Sequence, residues 1–283
     1  MGKIVSEKKF PESVIKHAWH TYLTTGEMPA SLNPPWFERK AFRPIMKRLP
    51  ESPRCGICYV PFEGIGGTFS RVFLRVEPSR LNPNLCNLCE RFATEYHGGV
   101  ELEISMLFVD VRGSTSIAES TSPENYSKLI KKFYRTATEI LYRNYGFVEK
   151  LLGDEVVGFF VPGFAGADHA RVAVESGKQI MNALGYRKSS KPWIPAGMGI
   201  NTGLAYVGSV HTEGGVSNIA ILGDAVNTTA RLASLAGPGD ILIGEGARQA
   251  ASLDVTSMTS QTLQLKGKTR DVTAWTLKMQ SQV

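Results

Sequence analysis

Aspartate is missing from the first 100 residues of this 283-residue chain, and cysteine is missing after residue 89. No apolar run approaches the ~20 residues that a membrane-crossing helix needs, which argues against a helical membrane protein. The opening stretch MGKIVSEKKFPES lacks the apolar centre of a signal peptide, so the expected location is the cytoplasm. Met1-Gly2 with Ser6 fits a minimal myristoylation pattern, although so short a pattern often matches by chance. There is no low-complexity tract and no fixed-period repeat, which excludes a solenoid or a flexible linker protein.

What is present is an ordinary globular composition, 42% hydrophobic and 20% charged. The net charge of +6 is uneven: residues 1–100 hold 14 Lys and Arg against 9 Glu, and the remainder 18 against 17 acids. This step predicts two units, 1–98 and 99–283, joined near His97-Gly98-Gly99. A basic first unit could attract nucleic acid or a lipid surface. No basic run is dense, however, and scattered solvated charges are the simpler reading. All four cysteines lie in this unit, as Cys55-x2-Cys58 and Cys86-x2-Cys89. Two CxxC turns without a secretory signal read as one tetrathiolate metal site rather than as disulfides. Structural zinc is the first expectation and an iron–sulfur cluster the second, since four thiolates suit both.

Residues 11–23 predict a short helix carrying Val14, Ala18, Trp19 and Leu23 on one stripe, with His17 and His20 at the surface. Residues 28–54 read as a proline-rich basic connector with a second helix around 37–46. The stretch PFEGIGG, 61–67, resembles a phosphate loop but lacks the following Lys-Ser/Thr, so its glycines are expected to serve tight turns. From residue 101 the pattern becomes regular. Strands are expected at 101–109, 147–152, 156–161, 194–201, 205–210, 240–243, 262–266 and 273–278. Helices are expected from the Ser122-Pro123-Glu124 start to Gly146, at 168–184, 225–236 and 245–251, with a glycine-rich loop after 210. Strand–helix–strand–strand–helix–strand is the order of a ferredoxin-like α+β core, here with additions.

Asp110 ends the first of these strands after the apolar run Met106, Leu107, Phe108 and Val109, where an unpaired carboxylate is costly. Asp154 sits in the turn between the second and third strands. A ferredoxin-like sheet lays the first strand beside that hairpin, so the two carboxylates converge. Such a pair can do acid–base work, bind a divalent cation that arrives with a nucleotide, or merely cap turns. Backbone groups of residues 111–115 would then face phosphates. In ILGDAVNTTARLAS, 221–234, Asn227 and Arg231 lie four apart on one helical face and could hold a sugar and a phosphate together. The alternative pairs Arg231 with a surface carboxylate and turns Asn227 to water.

FVDVRGSTS (108–116), VEKLLGDEVVGFF (148–160), GINTGLAYVGSV (199–210) and LGDAVNTTARLAS (222–234) together resemble the catalytic domain of class III nucleotide cyclases, in the family's order across about 101–280. The resemblance implies an α+β domain that converts ATP to cyclic AMP and pyrophosphate. It further implies that Asp110 and Asp154, with the carbonyl of Val111, bind two Mg2+ or Mn2+ ions. Asn227 would position the ribose, Arg231 would stabilise the pentacovalent phosphorus and Lys150 would contact the base. Gly113, Ser114 and Thr115 would lie at the phosphates, and Lys266, or else Lys268, would contact the terminal ones. It also implies a head-to-tail homodimer in which one chain supplies the metals and the other Lys150, Asn227 and Arg231. One position departs: the family's adenine-selective Asp or Thr, three residues before the glycine of the helix-opening motif, is Ala220 here, whose methyl group cannot hydrogen-bond. A cyclase of GTP, CTP or UTP therefore stays open, as does a silent nucleotide-sensing module. LLGDEV is also similar to the signature of diguanylate cyclases, but their full Gly-Gly-Asp/Glu-Glu-Phe turn is missing.

Overall fold

The computed structural model describes residues 10–27, 42–49, 53–55, 58–79, 85–187, 191–211, 217–264 and 271–279. Gly2, residues 37–41 of the second expected helix, and Lys266 and Lys268 lie outside them. The chain divides into two compact units: residues 1–100 with 206–220, and residues 101–205 with 221–283.

In the first unit, helices α1 (Glu12–Thr25), α2 (Phe42–Arg48) and α3 (Gly64–Phe69) precede a π-helical turn (Ser70–Leu74) and α4 (Asn87–Glu95). Its aromatic core is local. Trp19 Nε1 donates to the Tyr96 carbonyl at 2.7 Å, and the Phe92 ring meets Trp19 edge-on at 4.7 Å and Tyr22 at 4.2 Å. Ala18, Trp19, Tyr22 and Leu23 form the buried stripe of α1, whereas Val14 is exposed. His17 and His20 are exposed, as expected.

The second part of the chain supplies β1 (Gly99–Val111), α5 (Ser114–Glu119), α6 (Pro123–Arg143), β2 (Phe147–Leu152), β3 (Glu155–Phe160), α7 (Pro162–Ala165), α8 (His169–Leu184), β4 (Ala196–His211), β5 (Ser217–Leu222), α9 (Asp224–Leu235), β6 (Asp240–Gly244), α10 (Glu245–Ala250), β7 (Thr259–Leu263) and β8 (Val272–Lys278). The sheet runs β2-β3-β1-β4-β6-β8-β7, with β5 paired to β4. The segment β4-β1-β3-β2 is the ferredoxin-like core, and β6, β7 and β8 extend it.

Alternation along the strands separates two faces. Leu107, Val109 and Val111 of β1, with Ile241 and Ile243 of β6, join α6 and α8 in the larger core. Leu242 packs instead with Leu232 and Ala236 of α9 and its end. Asp110 alternates with Val109 and Val111, which puts it on the α9 side of the sheet. A Ser122 hydroxyl accepting from the Asn125 N–H starts α6, and Ile130, Phe133, Ala137, Ile140 and Leu141 are its buried stripe.

Three expectations are corrected. The strands expected at 194–201 and 205–210 are one continuous β4, and the glycine-rich loop after it contains β5. Thr202 lies at the expected break, but its hydroxyl is 2.6 Å from that of Ser105 on β1, which ties it into the sheet. Gly203 there serves close packing, since a Cβ on it would come within 2.9 Å of Ala225. The strand expected at 262–266 lies earlier, at Thr259–Leu263, where it pairs with β8.

Candidate active site

Asp110 and Asp154 meet because of sheet register. Antiparallel pairing of β1 and β3 sets Asp110 opposite Glu155, and the Val111 N–H donates to the Asp154 carbonyl at 3.1 Å. Gly153 turns the hairpin at φ 61°, a left-handed conformation that few side chains tolerate. The Tyr134 hydroxyl of α6 donates to the Gly153 carbonyl at 2.6 Å and anchors that turn. Burial, then the neighbouring Asp154 charge, outweighs Arg112 and pushes Asp110 up to about 6. Glu155 is also raised, by burial first and then by Asp110. The site is thus a knot of mutually repelling oxygens, the donor set that suits a hard divalent cation.

Sequence reasoning did not single out Arg112. Its guanidinium pairs with the Asp110 carboxylate, and its Nη1 donates to the Ser234 carbonyl at 3.0 Å, at the C-terminal end of α9. This side chain links the carboxylate strand to the helix that carries Asn227 and Arg231. Its position two residues after Asp110 was the available signal; Ser234, 122 residues away, was not readable.

α9 lies close against β4 because Gly199 has no side chain: a Cβ there would stand 2.3 Å from the Ala233 nitrogen. Thr228, Thr229, Leu232 and Ala233 form its buried face. Asn227 and Arg231 are on the exposed face, and neither has a side-chain partner among the described residues. Among the described residues, the surface pairing that was the alternative for Arg231 is not formed.

Lys150 on β2 follows a bulge, since the register passes from Val148↔Gly158 to Lys150↔Val157. The extra residue, Glu149, re-aims the strand end. Lys150 is half exposed and its Nζ lies 3.7 Å from Glu149 Oε2. Burial raises Glu149, and Lys150 partly offsets this. Gly113 holds φ 67° before α5, which has no side-chain cap, so the first-turn N–H groups at Ser114 and Thr115 are left to other partners. Ala220 lies on β5 and is partly buried.

The four cysteines of the first unit come together. The Sγ atoms of Cys55, Cys58, Cys86 and Cys89 all lie within 4.8 Å of one another, and all four residues are buried. The N–H of Cys86 points to the Cys55 sulfur at 3.3 Å and that of Cys89 to the Cys86 sulfur at 3.4 Å. None is in a disulfide. Burial pushes the Cys58 and Cys89 thiols up, a cost that a cation among the sulfurs would remove. This group can hold a metal ion.

Residues 100–279 match the family model for the adenylate and guanylate cyclase catalytic domain. An uncharacterized protein of Mycobacterium tuberculosis is 30% identical over 158 residues, 55% of this chain and 28% of that protein. An adenylate cyclase of Anabaena cylindrica is 26% identical over 47% of this chain and 27% of its own length. The chain therefore spans under a third of these relatives. Among solved structures, the guanylyl cyclase Cya2 superposes with a TM-score of 0.57 at 27% identity, over 63% of this chain and 93% of that one. The adenylyl cyclase CyaB from P. aeruginosa gives 0.53 at 25% identity, over 62% and 93%. With its ferredoxin-like core, its paired aspartates and its Asn–Arg helix, the chain belongs to the class III nucleotide cyclase family.

Proposed function

We propose that this protein is an adenylate cyclase, a phosphorus–oxygen lyase that closes ATP to 3′,5′-cyclic AMP and releases pyrophosphate. The observation that carries this reading is the convergence of Asp110 and Asp154 at the end of the β1–β3 pair, together with Asn227 and Arg231 on the exposed face of α9, without side-chain partners among the described residues. The acidic pair fits two Mg2+ or Mn2+ ions, with the Val111 carbonyl as a further ligand. When bound, such ions neutralise the triphosphate and favour ionisation of the 3′-hydroxyl. The chain's own groups do the rest. Asn227 orients the ribose so that the 3′-oxygen lies in line with the α-phosphorus. Arg231 meets charge that grows on the phosphoryl oxygens during attack, where a donor contributes to rate rather than to binding alone. N–H groups at Gly113, Ser114 and Thr115 hold phosphate oxygens, and Lys266 is assigned to the terminal ones.

Lys150 supports adenine, whereas Ala220 offers the base no hydrogen bond, which favours relaxed discrimination as a second reading. A parallel assay with ATP, GTP, CTP and UTP separates the two. Turnover of ATP alone supports the first, turnover of several supports the second, and turnover of none refutes both.

The active form is proposed to be a homodimer. Leu151, Leu152, Leu204, Leu222 and Leu235 are exposed on one chain, large apolar side chains that a second copy could cover. Mixing Asp154→Ala and Arg231→Ala chains tests it. If sites are shared, half the dimers are mixed and each retains one intact site, so about a quarter of wild-type turnover returns. A mixture as inactive as its components refutes a shared site. The four-cysteine group is proposed to hold structural zinc; iron–sulfur is the alternative, and metal analysis with a visible spectrum decides between them. Free thiols, and the lack among the described residues of any helix long and apolar enough to cross a membrane, favour a cytoplasmic enzyme.

A further inference from the structure

Residues 64–75 of the first unit are amphipathic the wrong way round. α3 and the π-helical turn after it bury their small residues, Gly67 and Ser70, and turn Ile65, Phe69, Val72 and Phe73 outward, while Leu74 is half-buried. Ile65 is 86% exposed, Phe69 47%, Val72 64% and Phe73 72%. The order i, i+4, i+7, i+8 puts these four on one helical face. The inversion is built in. A Cβ on Gly67 would stand 2.4 Å from the Phe62 backbone, so no larger residue fits inward there. The Ser70 hydroxyl is spent on the Gly66 carbonyl at 2.8 Å. The rings of Phe69 and Phe73 stack on each other at 5.0 Å. Between Glu63 and Glu77 the only charged residues are Arg71 and Arg75, both exposed, in a stretch of sequence whose first 100 residues carry 14 cations against 9 acids.

We propose that this face docks on the surface of an anionic lipid bilayer. Aliphatic and phenylalanine side chains would enter the headgroup–acyl boundary, while Arg71 and Arg75 remain at the level of the lipid phosphates with their stems along the apolar surface. Two weak signals acting together, buried apolar area and cationic attraction, give reversible attachment without a spanning helix. A nucleic-acid face would instead be dominated by cations; here two arginines accompany four large exposed apolar side chains. The proposal is independent of the nucleotide chemistry assigned to the other unit.

The test is flotation of the full chain with vesicles of neutral phosphatidylcholine, alone or with about a third phosphatidylserine. The wild type is expected to float with the anionic vesicles and not with the neutral ones, and to detach as salt rises from about 0.1 M to about 0.5 M. Val72→Ser with Phe73→Ser is expected to weaken binding at least about tenfold, since each loses an inserted apolar side chain. An unchanged melting temperature and metal content show that the variant is folded; both residues are exposed, so Ser is tolerated. Arg75→Gln is a second variant, expected to lower binding to anionic vesicles only. Three outcomes overturn the proposal. One is a wild type that ignores anionic vesicles. Another is binding unaffected by the double variant. The third is a patch-dependent oligomer, or patch-dependent oligonucleotide binding, in place of vesicle binding.

Discussion

Lowering the pH from about 7.5 to about 5 acts on the carboxylate pair through one residue. Asp110 titrates at about 6, first because it is partly buried and then because Asp154 lies beside it. At pH 7.5 about one molecule in thirty carries the proton, and at pH 5 about nine in ten do. A divalent cation needs the carboxylate, so it has to displace that proton. The expected result is an apparent Mn2+ affinity about tenfold weaker at pH 5 than at 7.5, read by calorimetry or electron spin resonance on the protein without nucleotide. Arg112→Ala removes the one cation that lowers Asp110 and shifts the acid limb to higher pH. It also removes a competitor for the carboxylate, so Mn2+ binding above pH 7 should tighten.

Stability without metal runs the opposite way. The folded value of Asp110 is raised above 3.8, so its contribution is complete below that value and is lost as pH rises through about 6. The unscreened bound is about 3 kcal/mol, and solvent access reduces it to about 1 kcal/mol. Asp110→Asn cannot ionise, so its stability advantage over the metal-free wild type should grow by that amount between pH 4 and 7. Comparing the two proteins cancels titrations that do not sense Asp110, such as that of His169, which burial lowers. Mn2+ affinity that is flat from pH 7.5 to 5, or a stability difference that does not change with pH, would refute the reasoning.

Arg231→Ala and Asn227→Ala should each cost about a hundredfold or more in turnover while leaving the melting temperature within about a degree, because both side chains are exposed and without side-chain partners among the described residues. Loss of fold in either variant would contradict their placement. Cys58→Ser, or a strong chelator, should release one metal ion per chain and unfold the first unit at a cost of several kcal/mol, on the order expected for a tetrathiolate site; protease sensitivity confined to residues 1–100 is the readout. Ala220→Thr restores a hydrogen-bonding group and should raise the preference for ATP over GTP by about tenfold, measured as a ratio of kcat/KM values.

The aspartate pair was legible because each member sits at a position that sequence marks, the end of an apolar strand and a Gly-Asp turn. α6, α8 and α9 were legible from period and caps. Three features were not. β4 runs through Thr202 and Gly203 because of a hydroxyl contact to Ser105 and room for Ala225, neither of which leaves a local signal. The bulge at Glu149 arises from pairing with β3, and no glycine announces it. The glycines of 61–67 were expected to serve turns, and Gly64 does hold φ 67°, but Gly67 is there to bring a helix onto the Phe62 backbone. Local pattern specifies elements; close approach between distant backbones does not appear in it.

The charges of the second unit are unevenly matched within one chain. Asp110, Glu149 and Glu155 are all held above their usual values, chiefly by burial, so their neighbouring cations compensate their ionised forms only in part. On the exposed face of α9, Asn227 and Arg231 have no acceptor among the described residues. Arg112, which does reach a carboxylate, is held at the same time by Ser234 and cannot serve a substrate without leaving both. An excess of acid at one place and an unused cation at another are what a triphosphate with its metal ions would balance, bringing anions to Arg231 and cations to Asp110. In the proposed dimer each α9 serves the partner's aspartates. Arg112 then connects the metal ligands of one site to the helix that completes the other.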